Sequence, residues 1–316
     1  MAKRKPSELN LLLAVDKPVG ITSHDLVSQV RRALNERRVG HAGTLDPLAS
    51  GVMIVGVGQA TRLLGRITLE RKRYLARIMF GCETTTDDAE GEPTRMADVS
   101  DDVLSPLFAK GVLREFVGEQ EQVPPAYSAI SVDGVRSYKR ARAGEGVELP
   151  ARTIEVYAAD LVAVDEVDGR AVWTASFDVS KGTYIRSLAR DIGRAAGSAA
   201  HVADLRRTAS GPVTSGMCAR IEDLSPEHAH AAALDPARVL GIPVRELTDD
   251  ELAAVLNGRA IPCGSPRAAG EPFVPSGAAS TYALVNDGRL RAIAAREGDY
   301  LRMETVFPQG IEGVAR

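Results

Sequence analysis

The twelve residues Gly40-His41-Ala42-Gly43-Thr44-Leu45-Asp46-Pro47-Leu48-Ala49-Ser50-Gly51 hold one carboxylate in a stretch dense with glycine and proline. Such a stretch breaks both helical and strand periodicity and predicts a tightly shaped loop. An aspartate before proline is commonly a turn former whose carboxylate caps backbone amides. The same carboxylate, held in a fixed loop, is also suited to act as a nucleophile that bonds to carbon and later leaves. A guanidinium beside it favours the charged form, which suits a nucleophile and opposes a general acid. Composition alone leaves the turn former and the nucleophile both open.

Other chemistries find no footing. Gly56-Val57-Gly58 starts like a dinucleotide loop, but Thr61 stands where the third glycine belongs and no acidic residue ends a following strand. GxSxG and HExxH are missing from the chain, and no His/Cys cluster has metal-ligand spacing. Cys82, Cys218 and Cys263 lie far apart, which argues against a disulfide framework and for a reducing, cytoplasmic setting. The apolar stretch Leu11 to Val15 behind the basic start is closed by Asp16-Lys17, too short for a signal peptide, and no apolar run reaches the length of a membrane span.

A net charge of −3 does not advertise a nucleic-acid binder, but its distribution is uneven. Residues 1–77 carry 14 Lys/Arg against 6 Asp/Glu, and residues 83–121 carry 11 acidic residues against 3 basic ones. Further basic clusters follow at Arg136, Lys139, Arg140 and Arg142, and at Lys181, Arg186, Arg190, Arg194, Arg206 and Arg207. Basic segments kept apart from acidic ones predict one positive surface on a nearly neutral protein, although solvated helix faces also produce such runs.

The elements that must position the loop are partly legible. Thr22 to Arg38 predicts a helix, with Thr22 as cap, Asp25 in capping-box position, and Leu26, Val27, Val30, Ala33 and Leu34 as its apolar stripe. Val52 to Val57 predicts a short buried strand, Tyr74 to Phe80 and Trp173 to Ser180 predict half-buried ones, and Ser187 to Ala196 predicts a helix ended by Gly197. Gln122 to Pro150 looks like an excursion from the core. Beyond about Gly241, a helix from Asp249 to Asn257, a hairpin at Asp287-Gly288 and a strand from Tyr300 to Phe307 suggest a small barrel-like appendix. Strands reached mostly through hairpins and long loops indicate an α+β fold rather than a doubly wound sheet.

The twelve-residue loop resembles the signature of the TruB family of tRNA pseudouridine synthases, in which the aspartate before Pro-Leu is the nucleophile. The resemblance runs along nearly the whole chain. Asp16-Lys17-Pro18-Val19-Gly20-Ile21-Thr22-Ser23 is similar to the family's first motif, which supports the active-site loop. Lys72-Arg73-Tyr74 is similar to the strand that places an aromatic beneath the target base. Pro124-Pro125-Ala126-Tyr127-Ser128-Ala129 resembles the start of an insertion that clamps the RNA, with Ser131 standing where the family usually has lysine. Ser180 to Ser187 resembles a second active-site strand, and His201 to Arg207 a turn that brings Leu205 against the base.

The resemblance implies a pseudouridine-synthase fold with a mixed, largely antiparallel central sheet over residues 1–240, an RNA-clamping insertion at about 122–150, and a PUA-like RNA-binding β-barrel over 241–316. It implies isomerisation of uridine 55 in the T-loop of tRNA, acting on a flipped-out base as a stand-alone monomer without guide RNA, membrane or metal. No redox step or external group enters that reaction, so no cofactor is required. The implied site is catalytic Asp46, Tyr74 and Arg186; substrate-binding Lys17, His41, Tyr74, Tyr184 and Leu205; and a clamp of Arg136, Lys139 and Arg140. Two alternatives stand beside it: a guide-RNA-dependent relative sharing the aspartate loop, and an RNA-binding protein that keeps the scaffold without chemistry.

Overall fold

The structure is a computed structural model and describes residues 7–67, 71–127, 131–132, 135–136, 149–264 and 280–314; for 131–132 and 135–136 only the backbone is described. The chain opens with β1 (Leu11–Lys17), α1 (Ser23–Ala33), β2 (Val39–Ala42), β3 (Ala49–Val57) and a 3-10 turn (Gly58–Leu63). Next come β4 (Arg71–Phe80), the small hairpin β5 (Cys82–Thr84) and β6 (Pro93–Met96), α2 (Pro106–Glu115) and β7 (Gly118–Gln122). The short pair β8 (Ser131–Val132) and β9 (Val135–Arg136) precedes the long hairpin β10 (Arg152–Val167) and β11 (Arg170–Ser180). Then follow α3 (Ile185–Ala195), β12 (Ala200–Ser210) and β13 (Val213–Thr214), and two short helices α4 (Pro226–Ala231) and α5 (Pro236–Leu240). The chain closes with β14 (Val244–Glu246), α6 (Asp249–Leu256), β15 (Ile261–Pro262), β16 (Thr281–Asn286), β17 (Arg289–Glu297) and β18 (Tyr300–Ile311).

Among the described residues the main sheet has nine strands in the order β1-β3-β12-β4-β11-β10-β7, with β2 added to β3 and β13 to β12. The β3–β12 pairing is parallel and the others are antiparallel. This is the mixed, largely antiparallel sheet the sequence suggested. Strand β4 buries Tyr74, Ala76, Ile78 and Phe80 on one face, and β11 buries Trp173, Ala175, Phe177 and Val179, as their alternation predicts. The Trp173 indole is fully buried and donates to Val103 O at 2.7 Å, satisfying its one polar atom.

Several elements depart from expectation. Helix α1 has the expected Thr22–Asp25 capping box but stops at Ala33, because Asn35 takes a left-handed conformation (φ 49°) that ends the helical run. Val39–Ala42 is a strand rather than loop: it lies against Ile54–Val57, partners twelve to eighteen residues away that local composition does not reveal. The true loop is therefore only 43–48. Ala200–Ser210 is a strand between β3 and β4 rather than a turn, and β10 is a strand that its residue pattern does not announce. Both carry bulges, at Val202/Asp204 and Arg207/Ala209 and at Val156/Ala158 and Leu161/Ala163, which scramble the period-two pattern.

The last five strands form a second sheet, β14-β16-β17-β18-β15, curled over α6. Its hairpin turns at Asp287 (φ 50°) and Gly288 (φ 65°), the expected Asp-Gly corner. It is not a loose appendix. Leu12, Ala14, Val52 and Ile54 on the rear of β1 and β3 share one buried apolar cluster with Ala283, Val285, Leu290, Ile293, Phe307 and Ile311.

Candidate active site

The 43–48 loop bridges β2 and β3 at the edge of the main sheet, and the reason for its single shape lies in where its carbonyls go. Arg207, on β12 and fully buried, donates to Gly43 O at 3.0 Å, Thr44 O at 3.4 Å and Val52 O at 2.7 Å. Ser23 Oγ accepts from Leu45 N at 3.0 Å and donates to Leu45 O at 2.9 Å. Asp46 O accepts from Ala49 N at 3.1 Å, and Pro47 O accepts from Gly20 N at 2.8 Å. Lys17 Nζ donates to Pro18 O, Ile21 O and Pro47 O at 2.8, 2.7 and 3.4 Å. Every carbonyl from Gly43 to Pro47 thus has a donor, which fixes the loop without regular structure. Gly51 closes it at φ +105°, where a Cβ would meet Arg207 O at 2.2 Å, so no other residue fits.

The loop aims Asp46 at Arg186. Arg186 Nε lies 2.9 Å from Asp46 Oδ2; the guanidinium side chain is 6% exposed and the carboxylate 39%. Arg186 Nη1 also faces Asp88 Oδ2 at 3.4 Å and donates to Thr86 O at 2.8 Å, while Nη2 donates to Tyr127 O at 3.0 Å. The guanidinium is held from three sides, and Asp46 keeps an open flank. Helix α3 begins at Ile185, two residues earlier than expected, which puts Arg186 in its first turn. Tyr184 caps it without a side-chain bond; instead Gln122 Oε1 accepts from Tyr184 N at 2.9 Å and Gln122 Nε2 donates to Tyr184 O at 3.1 Å.

Tyr74, Leu205, His41 and Lys17 stand on β4, β12, β2 and β1 of the main sheet. Tyr74 is buried on β4, directly opposite Arg207 of β12, and shares an apolar cluster with Leu45, Leu48, Ile185 and Leu205. Leu205 stands opposite Ala49 on β3 and Ala76 on β4. His41 sits on β2 with its ring edge-on to His24 at 5.8 Å; Nδ1 is enclosed without a partner among the described residues, and burial lowers its pKa. Lys17 is fully buried beneath the loop, where burial brings its pKa down to about 8 against an opposing pull from Asp46. Its ammonium is bonded to three carbonyls, those of Pro18 and Ile21 and that of Pro47 in the loop. Arg136 is described only as backbone, and Lys139 and Arg140 lie outside the described residues.

Apart from the exposed Lys181, the third basic cluster is not a free positive surface. Arg186, Arg190 and Arg194 recur every four residues along one face of α3, and the acidic stretch folds over them: Asp88 meets Arg186, Asp87 meets Arg190 at 2.9 Å, and Glu83 meets Arg194 at 2.7 Å. Arg206 pairs with Asp16 at 2.7 Å, and Arg207 is buried. Hydrogen bonds from Arg194 hold Glu83 below the usual carboxylate range, whereas burial pushes Asp87 up to about 6 despite Arg190. Sequence reasoning missed Asp88, Arg207, Ser23 and Gln122. The one available signal was the four-residue spacing of the arginines facing an acidic run of matching charge.

A part-exposed carboxylate on a fixed loop, with an arginine holding it and a tyrosine in the apolar cluster that the loop's leucines join, suits nucleophilic chemistry. No group of His, Cys, Asp and Glu among the described residues has the arrangement of a metal site. Comparison with known proteins agrees with this class. Residues 31–185 match the model of the TruB family pseudouridylate synthase N-terminal domain, and residues 186–241 that of the tRNA pseudouridylate synthase B C-terminal domain. The tRNA pseudouridine synthase B of Thermobifida fusca is 43% identical over 302 residues, covering 94% of this chain and 98% of the relative. That of Mycobacteroides abscessus is 42% identical over 293 residues, covering 91% and 92%. Among solved structures, a Cbf5-Nop10-Gar1 complex aligns with a TM-score of 0.64 and 27% identity over 94% of this chain and 84% of that one. The chain belongs to the TruB family of pseudouridine synthases. It is an isomerase with the pseudouridine-synthase fold and a PUA-like C-terminal sheet. No helix among the described residues is long and apolar enough to cross a membrane.

Proposed function

We propose that this chain converts uridine 55 in the T-loop of tRNA to pseudouridine, with Asp46 as nucleophile and without cofactor or guide RNA. Isomerisation of uridine in tRNA follows from the family and from relatives named tRNA pseudouridine synthase B. The observation that carries the finer reading is the 2.9 Å contact between Arg186 and Asp46 on a loop whose carbonyls are all engaged. In the reaction the N1–C1′ bond breaks, the uracil turns, and a C5–C1′ bond forms; C5 gives up a proton and N1 carries one. Atoms and electrons balance without an external group. Asp46 adds to the nucleotide, at C1′ or at C6 of the base, and leaves again. Arg186, pinned by Asp88 and two carbonyls, keeps that carboxylate oriented.

The uridine reaches Asp46 only when it leaves its stack. Tyr74 then lies against the base, with Leu205 and Tyr184 as walls and His41 at the mouth filling the space left behind. Arg136, Lys139 and Arg140 hold the T-arm, residues 1–240 form the catalytic part, and 241–316 bind RNA. The identity of 42–43% with the named tRNA enzymes, against 27% with the Cbf5 complex, supports a protein that acts alone.

The test is pseudouridine mapping on an unmodified tRNA transcript with no guide RNA. Wild type converts one T-loop uridine, and Asp46→Asn forms none while binding tRNA within a few-fold of wild type. Substantial turnover in the Asn variant removes Asp46 from its role, and dependence on added guide RNA favours the guided alternative. Tyr74→Phe separates stacking from proton transfer: a large loss of kcat with affinity intact assigns the phenol to removal of the C5 proton.

A further inference from the structure

Strand β4 opens with three basic residues that part at once. Arg71 and Arg73 point to the face that carries Asp178: Arg71 donates to both oxygens at 3.1 and 2.8 Å and lies over the Tyr157 ring at 4.3 Å, and Arg73 Nε stands 3.8 Å from the same carboxylate. Lys72 points the other way, to the face of Tyr74 and Ala76. It is half-buried, and among the described residues no carboxylate pairs with it and no carbonyl or hydroxyl accepts from its ammonium. Burial lowers its pKa, and the charges acting on it, Arg207 and Lys181, are both cations and lower it further. Gly43 opens the catalytic loop beside it: a Cβ there would stand 3.5 Å from Arg207 Nη1 and 4.0 Å from Lys72 Cε.

This arrangement is the reverse of helix α3, where each arginine has its acid. A half-buried ammonium among other cations is unfavourable until an anion joins it. Arg207 is engaged with three carbonyls, so Lys72 and the exposed Lys181 are the groups left to meet one. Lys72 stands two residues before Tyr74 on the same face, about 6.6–6.8 Å along the strand. A nucleotide whose base rests on Tyr74 has its backbone at such a remove. We propose that Lys72 and Lys181 form a phosphate subsite beside the catalytic loop that takes the phosphodiester flanking the flipped nucleotide. The proposal rests on the assignment of RNA as substrate. A lysine ammonium meets a phosphate as a compact point charge and tolerates the backbone movement of base flipping.

The experiment pairs Lys72→Met, with Lys72→Arg as the conservative control, against T-arm stem-loop RNAs bearing one neutral methylphosphonate at each linkage around the target uridine. With unmodified RNA, Lys72→Met binds several-fold more weakly and the slope of log K against log salt falls by roughly one unit. In wild type, one linkage flanking the target shows a matching loss on neutralisation. In Lys72→Met that same linkage costs nothing further, and Lys72→Arg restores the sensitivity. Equal methylphosphonate penalties in wild type and Lys72→Met, or an unchanged salt slope, overturn the subsite. A melting curve reports folding; if Lys72→Met does not fold, the same scan on Lys181→Met decides, because Lys181 sits on an exposed turn and a fully retained penalty there overturns the subsite equally. Pseudouridine formation by wild type on unmodified RNA, followed in the same samples, reports separately on the RNA assignment. Inorganic phosphate that competes with the RNA in wild type but not in Lys72→Met distinguishes a general phosphate site from one that needs the bound backbone.

Discussion

Along β1, Leu11, Leu13 and Val15 enter the core beneath the helices, while Leu12 and Ala14 enter the cluster shared with the C-terminal sheet; β3 divides the same way between Met53, Val55 and Val57 and Val52 and Ile54. The two faces of these strands are equally buried, yet the layers above them are held by different forces. The rear is closed by apolar contact with Phe307, Ile293 and Ile311. The front edge carries a loop held by hydrogen bonds from Lys17, Ser23, Gly20 and Arg207 to carbonyls. Apolar contact is strong and tolerant of small shifts; a set of directional bonds is weaker in sum but fixes position. Apolar packing therefore seats the C-terminal sheet on the rear, and directional bonds set the geometry of the loop at the front edge.

Removing residues from Gly241 onward strips the rear of β1 and β3. It uncovers Leu12, Val52, Ile54 and Leu63 at once. At about 1.5–3 kcal/mol for each large apolar side chain, the loss rivals the ~5–15 kcal/mol stability of a whole domain. The truncated chain is expected to unfold or aggregate, as read by circular dichroism and gel filtration. A soluble, cooperatively melting truncation shows that the rear cluster is dispensable.

Arg207→Met attacks the front face. It leaves Gly43 O, Thr44 O and Val52 O without this donor, at about 1–3 kcal/mol for each acceptor left unsatisfied. Because misplacement near 1 Å costs on the order of 10²-fold in rate, single-turnover formation of pseudouridine falls by about that factor while the protein stays folded. A folded variant with wild-type rate shows that Arg207 does not set the loop.

The smallest effects are in the pH dependence. The Lys17 pKa falls to about 8 in the folded protein from an ordinary 10.5, so the unfolded chain binds more protons between these values. Its contribution to stability therefore rises as pH increases from about 8 to 10.5, and Lys17→Met removes that slope. Asp87 has the opposite sign: raised from 3.8 to about 6, it binds a proton more readily when folded, so its contribution falls as pH rises from about 4 to 6. Thermal melts of wild type, Lys17→Met and Asp87→Asn at several pH values read both slopes. Identical profiles in all three proteins mean that neither group titrates as its surroundings require.

Much of this is legible in the order of residues alone. The Gly40–Gly51 string marks Asp46, the alternation of β4 and β11 sets their buried faces, and Thr22 and Asp25 set the start of α1. These features depend on neighbours a few residues away, through periodicity, capping and turn chemistry, and the chain carries them wherever it is placed. What lies out of reach are bonds between distant segments. Asp88 meets Arg186 across about a hundred residues, Gln122 bonds both backbone groups of Tyr184 at the start of the helix, and Arg207 ties a strand to a loop far earlier in the chain. The acidic and basic runs look like separate surfaces because sequence records charge in order, whereas folding lays residues 83–88 over α3 and cancels them pair by pair. Local order in the chain carries the Gly40–Gly51 string and the capped helix and alternating strands around it. The tertiary structure alone decided which charges are neutralised and which stay open, because a Coulomb partner is chosen by distance through space and not along the chain.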